Sequence, residues 1–288
     1  MSHLKSIIAV LVFTLIVSFS QAQDKIKLEN SVLWKIEHSE LKEPSYVLGT
    51  LHMMCKDDFE ISKKISQTLQ NVDALVLEVN LSDKVEIKSM QESMKNPKKI
   101  SEELTKKQFE ELDTFVTKIM GTSLTNFDTY GLSILNAIMI QKMLPCTEIK
   151  SLDNELMLLA AEKQKPIYSL EKVSEQMEML KRAYPTEFAL KQILLFESYK
   201  KDFSEAITAY KNEDIKTAVN LLTKDIYMNE NATNLMQINR NKNWVEKMPQ
   251  MMKERSNLFA VGTAHLTNKY GIIHLLRQIG YTVTPVFN

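Results

Sequence analysis

The chain has 288 residues, and its 36 basic and 36 acidic side chains leave it formally uncharged. Scattered, balanced charge gives no electrostatic footprint for nucleic acid or an anionic membrane, so neither is expected as a partner. With 44% hydrophobic residues and no Gly/Ser-rich linker or low-complexity tract, one domain with one sizeable core is expected over residues 23–288.

In chain order, Lys5 precedes an apolar run at 7–19, and Ser20-Gln21-Ala22 offers small residues for cleavage, the pattern of a signal peptide over 1–22. The run is short of the roughly 20 residues a membrane span takes, so the mature chain is expected in the periplasm or secreted, with no span left. In an oxidising compartment Cys55 and Cys146 are expected to form one disulfide, tying the loop after His52 to the middle of the chain. A metal-ligand role for Cys55, or two free thiols, are the alternatives.

Residues 30–37 alternate apolar and polar (Val32, Trp34, Ile36), which predicts an edge strand paired through the Lys42–Ser45 turn with 46–48. That hairpin leads into Gly49-Thr50-Leu51-His52. A helix at about 60–70 and a strand at 74–79, with Glu78 near its end, follow. Residues 82–141 are helical in pattern, broken at Asn96-Pro97 and restarted with Ser101 as cap. A buried helix at 130–143 ends before Pro145. A helix at 153–163 leads to a strand at 166–171, which places Glu171 like Glu78. Helical periodicity then fills a large insert at 174–253, punctuated by Pro185 and Pro249. The apolar strand 257–262 runs into Thr263-Ala264-His265, and a helix at 270–278, stopped by Gly280, leads to a last strand at 281–286.

Two stretches therefore share one pattern, an apolar strand followed by Gly-Thr-x-His. Glycine is expected to let the backbone turn sharply, setting His at the C-terminal edge of the strand, where ligands bind in open α/β sheets. Two copies at opposite ends of the chain predict two strands meeting in space, with both imidazoles facing one cleft. Each copy begins a strand–helix–strand unit whose crossover should be right-handed and whose strands should be parallel. The expected fold is α/β, a mostly parallel central sheet built from two pseudo-symmetric halves, with the helical insert added.

Taken together, Gly49-Thr50-Leu51-His52, the strand carrying Glu78, Ser169-Leu170-Glu171 followed by Gln176, the run from Asn239 to Trp244, Val261 to Leu266 and Gly280 to Val283 resemble the TraB/GumN (PrgY, Tiki-like) family over essentially the whole mature chain. The resemblance implies an α/β fold with two pseudo-symmetric halves. For the animal Tiki branch it also implies a divalent-metal-dependent protease that uses both His motifs and the Glu. Other members are described only as inhibitors of peptide pheromone signalling. Ser169 stands where the family usually has Gly, and Ala-His-Leu-Thr-Asn replaces the commoner Gly-His-Leu-x-Gly.

The chemistry expected of these residues follows their type. His52, His265 and Glu78 form a two-imidazole, one-carboxylate set that suits Mn, Co, Zn or Fe with open positions for water. The alternative is that each His simply ties a strand end by hydrogen bonds. Glu171 is either a further ligand, a general base, or the ion-pair partner of Arg240 or a nearby Lys. Arg240 either holds a substrate carboxylate or oxyanion, or is a helix-surface residue paired with Glu246. Gly49, Thr50, Gly262 and Thr263 supply the motif backbone. No Walker loop, dinucleotide glycine pattern, His-Glu-x-x-His or Gly-x-Ser-x-Gly is present. The expected activity is hydrolysis, with a peptide or protein as substrate. The alternatives are a non-catalytic binder of a peptide or small ligand, and a metal-dependent esterase.

Overall fold

Six strands form the central sheet, in the order β6-β4-β7-β2-β1-β8. They are β1 (Leu33–Glu37), β2 (Ser45–Thr50), β4 (Ala74–Leu77), β6 (Ile167–Ser169), β7 (Asn257–Gly262) and β8 (Thr282–Pro285); β3 (Met54–Cys55) and β5 (Ile149–Lys150) make a separate two-stranded ribbon. The structure, a computed structural model, describes residues 28–287, so the signal segment expected at 1–22 lies outside the described residues. No helix among the described residues is long and apolar enough to cross a membrane.

β6, β4, β7 and β2 are mutually parallel, and β1 is antiparallel to both of its neighbours, β2 and β8. The sequence explains the parallel centre. β7 and β4 are buried at every position, as continuous apolar strands must be when a sheet is covered on both faces. β2 and β7 pair with Thr50 opposite Gly262, so the two Gly-Thr motifs finish side by side at one edge of the sheet.

Two expectations change. The first strand is not an edge: Leu33, Trp34 and Ile36 are all fully buried, and β8 covers its outer side. β8 alternates exposed Thr282 and Thr284 with buried Val283, which is the pattern an edge carries. The pseudo-symmetry expected of the two strand–helix–strand units is not seen in the strand order either. The first returns from β2 to β4 across one intervening strand, β7. The second returns from β7 to β8 across two, β2 and β1. Each unit keeps its strands in the same direction, yet the halves do not superpose in the order of the sheet.

Helices fill the two long excursions, Lys84 to Lys142 between β4 and β5 and Val173 to Glu254 between β6 and β7. Ser101 does not cap. Its backbone N–H and hydroxyl both bind Asp128, while Thr105 and Gln108 form a reciprocal capping box for the helix Lys106–Met120. The Thr-x-x-Gln spacing at 105–108 is the signature that Ser101, with Leu104 three residues on, lacks. Gly280, at φ +96°, ends the helix Ile272–Gln278 where expected.

Cys55 and Cys146 are joined by a disulfide, with Cα atoms 5.8 Å apart. It clasps the end of β3 to the segment entering β5, beside the pairs Met54↔Lys150 and Cys55↔Ile149. The bond closes a loop across 91 residues of sequence, which the chain-entropy model makes worth a few kcal/mol. Denatured but unreduced protein should therefore show no free thiol. Cys55→Ser with Cys146→Ser should lower the unfolding free energy by about 2–5 kcal/mol in denaturant melts; two titratable thiols in the unreduced protein would refute the bond.

In the helical insert, buried Asp202 accepts bonds from Lys224 Nζ (2.7 Å to each oxygen) and from the Tyr227 hydroxyl (2.6 Å). Burial alone would raise its carboxyl, but the Lys224 and Tyr227 bonds outweigh it and hold Asp202 below the ordinary value. A depressed carboxyl contributes stability that is present above the unfolded-state value and is lost as pH falls through the folded one. Asp202→Asn should lose about 1–3 kcal/mol near neutral pH. Its deficit against the wild type should shrink below about pH 4, as the wild-type carboxyl protonates too. Melting both proteins from pH 7 to pH 2 tests this; a constant deficit would exclude a contribution from the charge.

Candidate active site

The site lies where β2, β7 and β4 end. Each strand delivers a residue: His52 follows β2 by two residues, Glu78 comes directly after β4, and His265 closes the short 3-10 turn Thr263–His265 that follows β7. β6 brings the fourth, Glu171, whose backbone N–H donates to the Glu78 carbonyl (3.0 Å). The helix Asn239–Glu254 then supplies Arg240, Asn241 and Trp244 from one buried side.

The motif glycines act by space rather than by torsion. Neither Gly49 nor Gly262 has a positive φ, which revises the sharp turn expected of them. A Cβ on Gly49 would sit 2.8 Å from Leu266 Cδ1 and 2.9 Å from Thr263 Oγ1; one on Gly262 would sit 3.0 Å from His52 Nε2 and 3.3 Å from Glu78 Oε1. Each glycine thus makes room for residues of the other motif, and the two motifs interlock. The Gly49 carbonyl is further fixed by the buried Tyr210 hydroxyl at 2.7 Å.

At the centre is Arg240, buried, with every N–H committed. Nε donates to Glu171 Oε1 and Oε2 (3.1 and 3.2 Å), and Nη2 donates to Glu171 Oε1 (2.5 Å) and Glu78 Oε2 (2.6 Å). Nη1 meets the Met236 carbonyl (3.2 Å) and His265 Nε2 (3.1 Å). The guanidinium also lies over the Trp244 ring, 4.6 Å from its centroid. The expected pairing with Glu246 is absent, and no donor of Arg240 remains for a substrate carboxylate or oxyanion.

Glu171 is consumed in the same way. Besides Arg240 it accepts from Trp244 Nε1 (3.2 Å) and Gln176 Nε2 (3.1 Å), so of its expected roles the structure shows the ion pair. Glu78 also accepts the Gly262 N–H at 2.7 Å. Burial would raise the Glu78 carboxyl; the charge of Arg240 first, joined by His52 and the Gly262 bond, holds it far below the usual carboxylate range.

The two imidazoles differ. His265 is buried, with Nδ1 at 2.6 Å from Asn241 Oδ1 and its ring 4.5 Å from that of Trp244. The amide nitrogen of Asn241 donates to the Tyr270 and His265 carbonyls, which leaves its oxygen to accept. Arginine can only donate, so Nε2 accepts from it and the proton sits on Nδ1. Burial and then the Arg240 charge push His265 down to about 3, so it is a neutral imidazole. His52, by contrast, is 63% exposed, with Nδ1 3.0 Å from Asp153 Oδ2. Desolvation works against its cation, but the hydrogen bond and charge of Asp153, joined by Glu78, raise it above its ordinary value.

A cavity of about 250 Å³ opens beside His52 and Glu78, walled by Leu77, Val79, Leu81 and Met157 and edged by Asp153, Asn154 and Gln176. Donors for a cation exist here. His52 Nε2 and Glu78 Oε1 face the same point beside Gly262, and His265 Nε2 lies 3.7 Å from that Glu78 oxygen. Among the described residues no group of three or more His, Cys, Asp or Glu side chains is gathered closely enough to hold a metal ion. His52, Glu78 and His265 carry nitrogen and oxygen donors of the types a divalent cation takes, and His265 Nε2 is occupied here by Arg240 Nη1.

Asp153, Asn241 and Trp244 were not singled out as site residues by sequence. Asn241 and Trp244 fall within the 239–244 run, one and four residues beyond Arg240 on a single helix. Asp153 reads only as an acidic residue in the first turn of a helix, where such residues are common.

A curated relative, "Uncharacterized protein YbaP" from Shigella flexneri, is 24% identical over 244 residues, covering 81% of this chain and 88% of that protein. No solved structure gives a significant match. The family model described as TraB/PrgY/gumN family matches residues 32–285, from the strand before the first His motif to the last strand of the sheet, and the chain belongs to that family.

Proposed function

We propose that the chain is an exported hydrolase of peptide or related acyl bonds, with its reacting centre at His52 and Glu78 and with His265 behind them. The observation that carries the reading is the convergence at Gly262, where His52 Nε2 and Glu78 Oε1 face one point between two interlocked Gly-Thr-x-His motifs. The Cys55–Cys146 disulfide is compatible with export.

A divalent ion (Mn, Co, Zn or Fe), held by His52, Glu78 and His265, would polarise the scissile carbonyl and lower the pKa of a bound water to about 7. The remaining work falls to the chain itself. His52 is the imidazole open to the cavity, so Nε2 is where a proton or a ligand is exchanged with the substrate side. His265, with Nδ1–H given to Asn241 and Nε2 turned to Arg240, is held neutral and buried. Glu171 and Arg240 position Glu78. Leu77, Val79, Leu81 and Met157 offer an apolar wall for the group flanking the bond, and the residues lining the cavity include Glu78 and Asp153 but no Lys or Arg. That lining favours uncharged or cationic substrates over anionic ones.

Elemental analysis of purified protein, followed by digestion of a peptide library and an ester panel with and without chelator, tests the proposal. Chelator-sensitive cleavage is expected. Absence of any turnover, together with ligand binding that survives His52→Ala, would instead identify a binding protein. Among variants, His52→Ala should lose at least about a hundredfold in turnover while costing less than about 1 kcal/mol of stability, because the ring is exposed. Arg240→Gln should cost about 3–5 kcal/mol, since it strands two buried carboxylates.

Gly262→Ala separates geometry from folding. Its φ of −51° suits alanine, and the His52 ring can swing aside, so melting should change little. Turnover should nonetheless collapse as the methyl fills the point between His52 and Glu78. Wild-type turnover in Gly262→Ala would move the reacting centre elsewhere.

A further inference from the structure

We propose that Asp153 is a positioning residue of this site, holding the His52 ring in the one orientation that aims Nε2 at Glu78. The inference rests on the reading of the site above and extends it to a residue outside both motifs. Asp153 spans the first motif: Oδ1 accepts from the Thr50 hydroxyl at 2.8 Å and Oδ2 lies 3.0 Å from His52 Nδ1. A carboxylate only accepts hydrogen bonds, so the proton between them belongs to His52 Nδ1, and Nε2 is left to face the cavity.

The contrast with His265 shows why this tether matters. His265 is buried and fixed by Asn241, Arg240 and the Trp244 ring. His52 is 63% exposed, and among the described residues Asp153 is the hydrogen-bond partner of its ring. An exposed imidazole without that bond is free to turn about χ1 and χ2, and a site of this kind needs its groups within about 0.5 Å and 10–20° of the productive geometry.

Asp153 is itself held from three sides. It is in the first turn of the helix Leu152–Glu162, where the helix dipole favours a carboxylate. Ser151 Oγ lies 3.4 Å from its Oδ2, and the Leu152 N–H reaches the Leu51 carbonyl at 3.4 Å. Three residues before it, β5 pairs with β3, and the Cys55–Cys146 disulfide closes that ribbon. The strand pairing and the disulfide therefore hold the backbone of Asp153 beside the motif it serves.

The test compares wild type, Asp153→Ala and Asp153→Asn, the last retaining an oxygen that can accept from Nδ1–H. Two readouts are needed. The first is the ring Nδ1–H signal of His52 in nitrogen-edited NMR of protein freed of metal by chelator, assigned by its loss in His52→Gln. It should be slow to exchange in the wild type, weaker but present in Asp153→Asn, and lost in Asp153→Ala. The second is turnover: kcat should fall about 10–100-fold in Asp153→Ala with KM little changed, and recover in part in Asp153→Asn. A purely structural role would lower the melting temperature and leave the Nδ1–H signal intact, which would overturn the proposal. So would an unchanged signal in Asp153→Ala with unchanged melting. If no substrate is cleaved by any of the proteins, the hydrolase reading fails while the NMR comparison still decides the role of Asp153.

Discussion

One buried guanidinium organises the end of the sheet. Arg240 is the single positive charge between Glu78 and Glu171, two carboxylates that the chain places at the ends of neighbouring strands. Two like charges so close in a buried setting are not sustainable without a counter-ion, and the fork of arginine satisfies both at once. Everything near it follows from that need. Trp244 supplies a flat face beneath the guanidinium, Met236 and His265 take up its last donors, and the helix carrying it is drawn against the sheet edge.

This arrangement sorts the charged residues of the site by task. Glu171 and Arg240 neutralise one another and face inward. Glu78 bridges, sharing one oxygen with Arg240 and giving the other to the backbone of the second motif. His52 stands outside the buried cluster, on the cavity side, with a carboxylate of its own. The two Gly-Thr-x-His motifs, alike in sequence, are therefore unlike in chemistry, because one His is paired with Asp153 and the other with Asn241. A negative partner favours an imidazolium and a neutral amide does not.

Much of this was legible in the chain itself. The continuous apolar runs at 257–262 and 74–77 announce central parallel strands, and the repeated Gly-Thr-x-His places two of them side by side. Other features were not legible because sequence spacing does not carry them. Strand order is set by tertiary packing, so the first strand, with its alternating pattern, gave no sign that β8 would cover it. The burial of Arg240 could not be told from its neighbours, since Lys242 and Lys247 follow it on the same helix as ordinary helix charges. Nor could the glycine roles be assigned: only the folded structure shows that Gly49 and Gly262 make way for each other's motif.

The position of β7 has a consequence for how such a chain reaches its folded form. β7 lies between β4 and β2, so the middle of the sheet is closed by a strand that begins at residue 257, more than 200 residues after β2. Pairing at such separation is slow, because the closure entropy of the long loop is lost before the contact forms. A chain made N-terminus first has the residues of its first hairpin and its helices in hand while β2 and β4 still lack their common neighbour. The sheet stays open until β7 arrives, which delays assembly of both histidines into one site until almost all of the chain has been made.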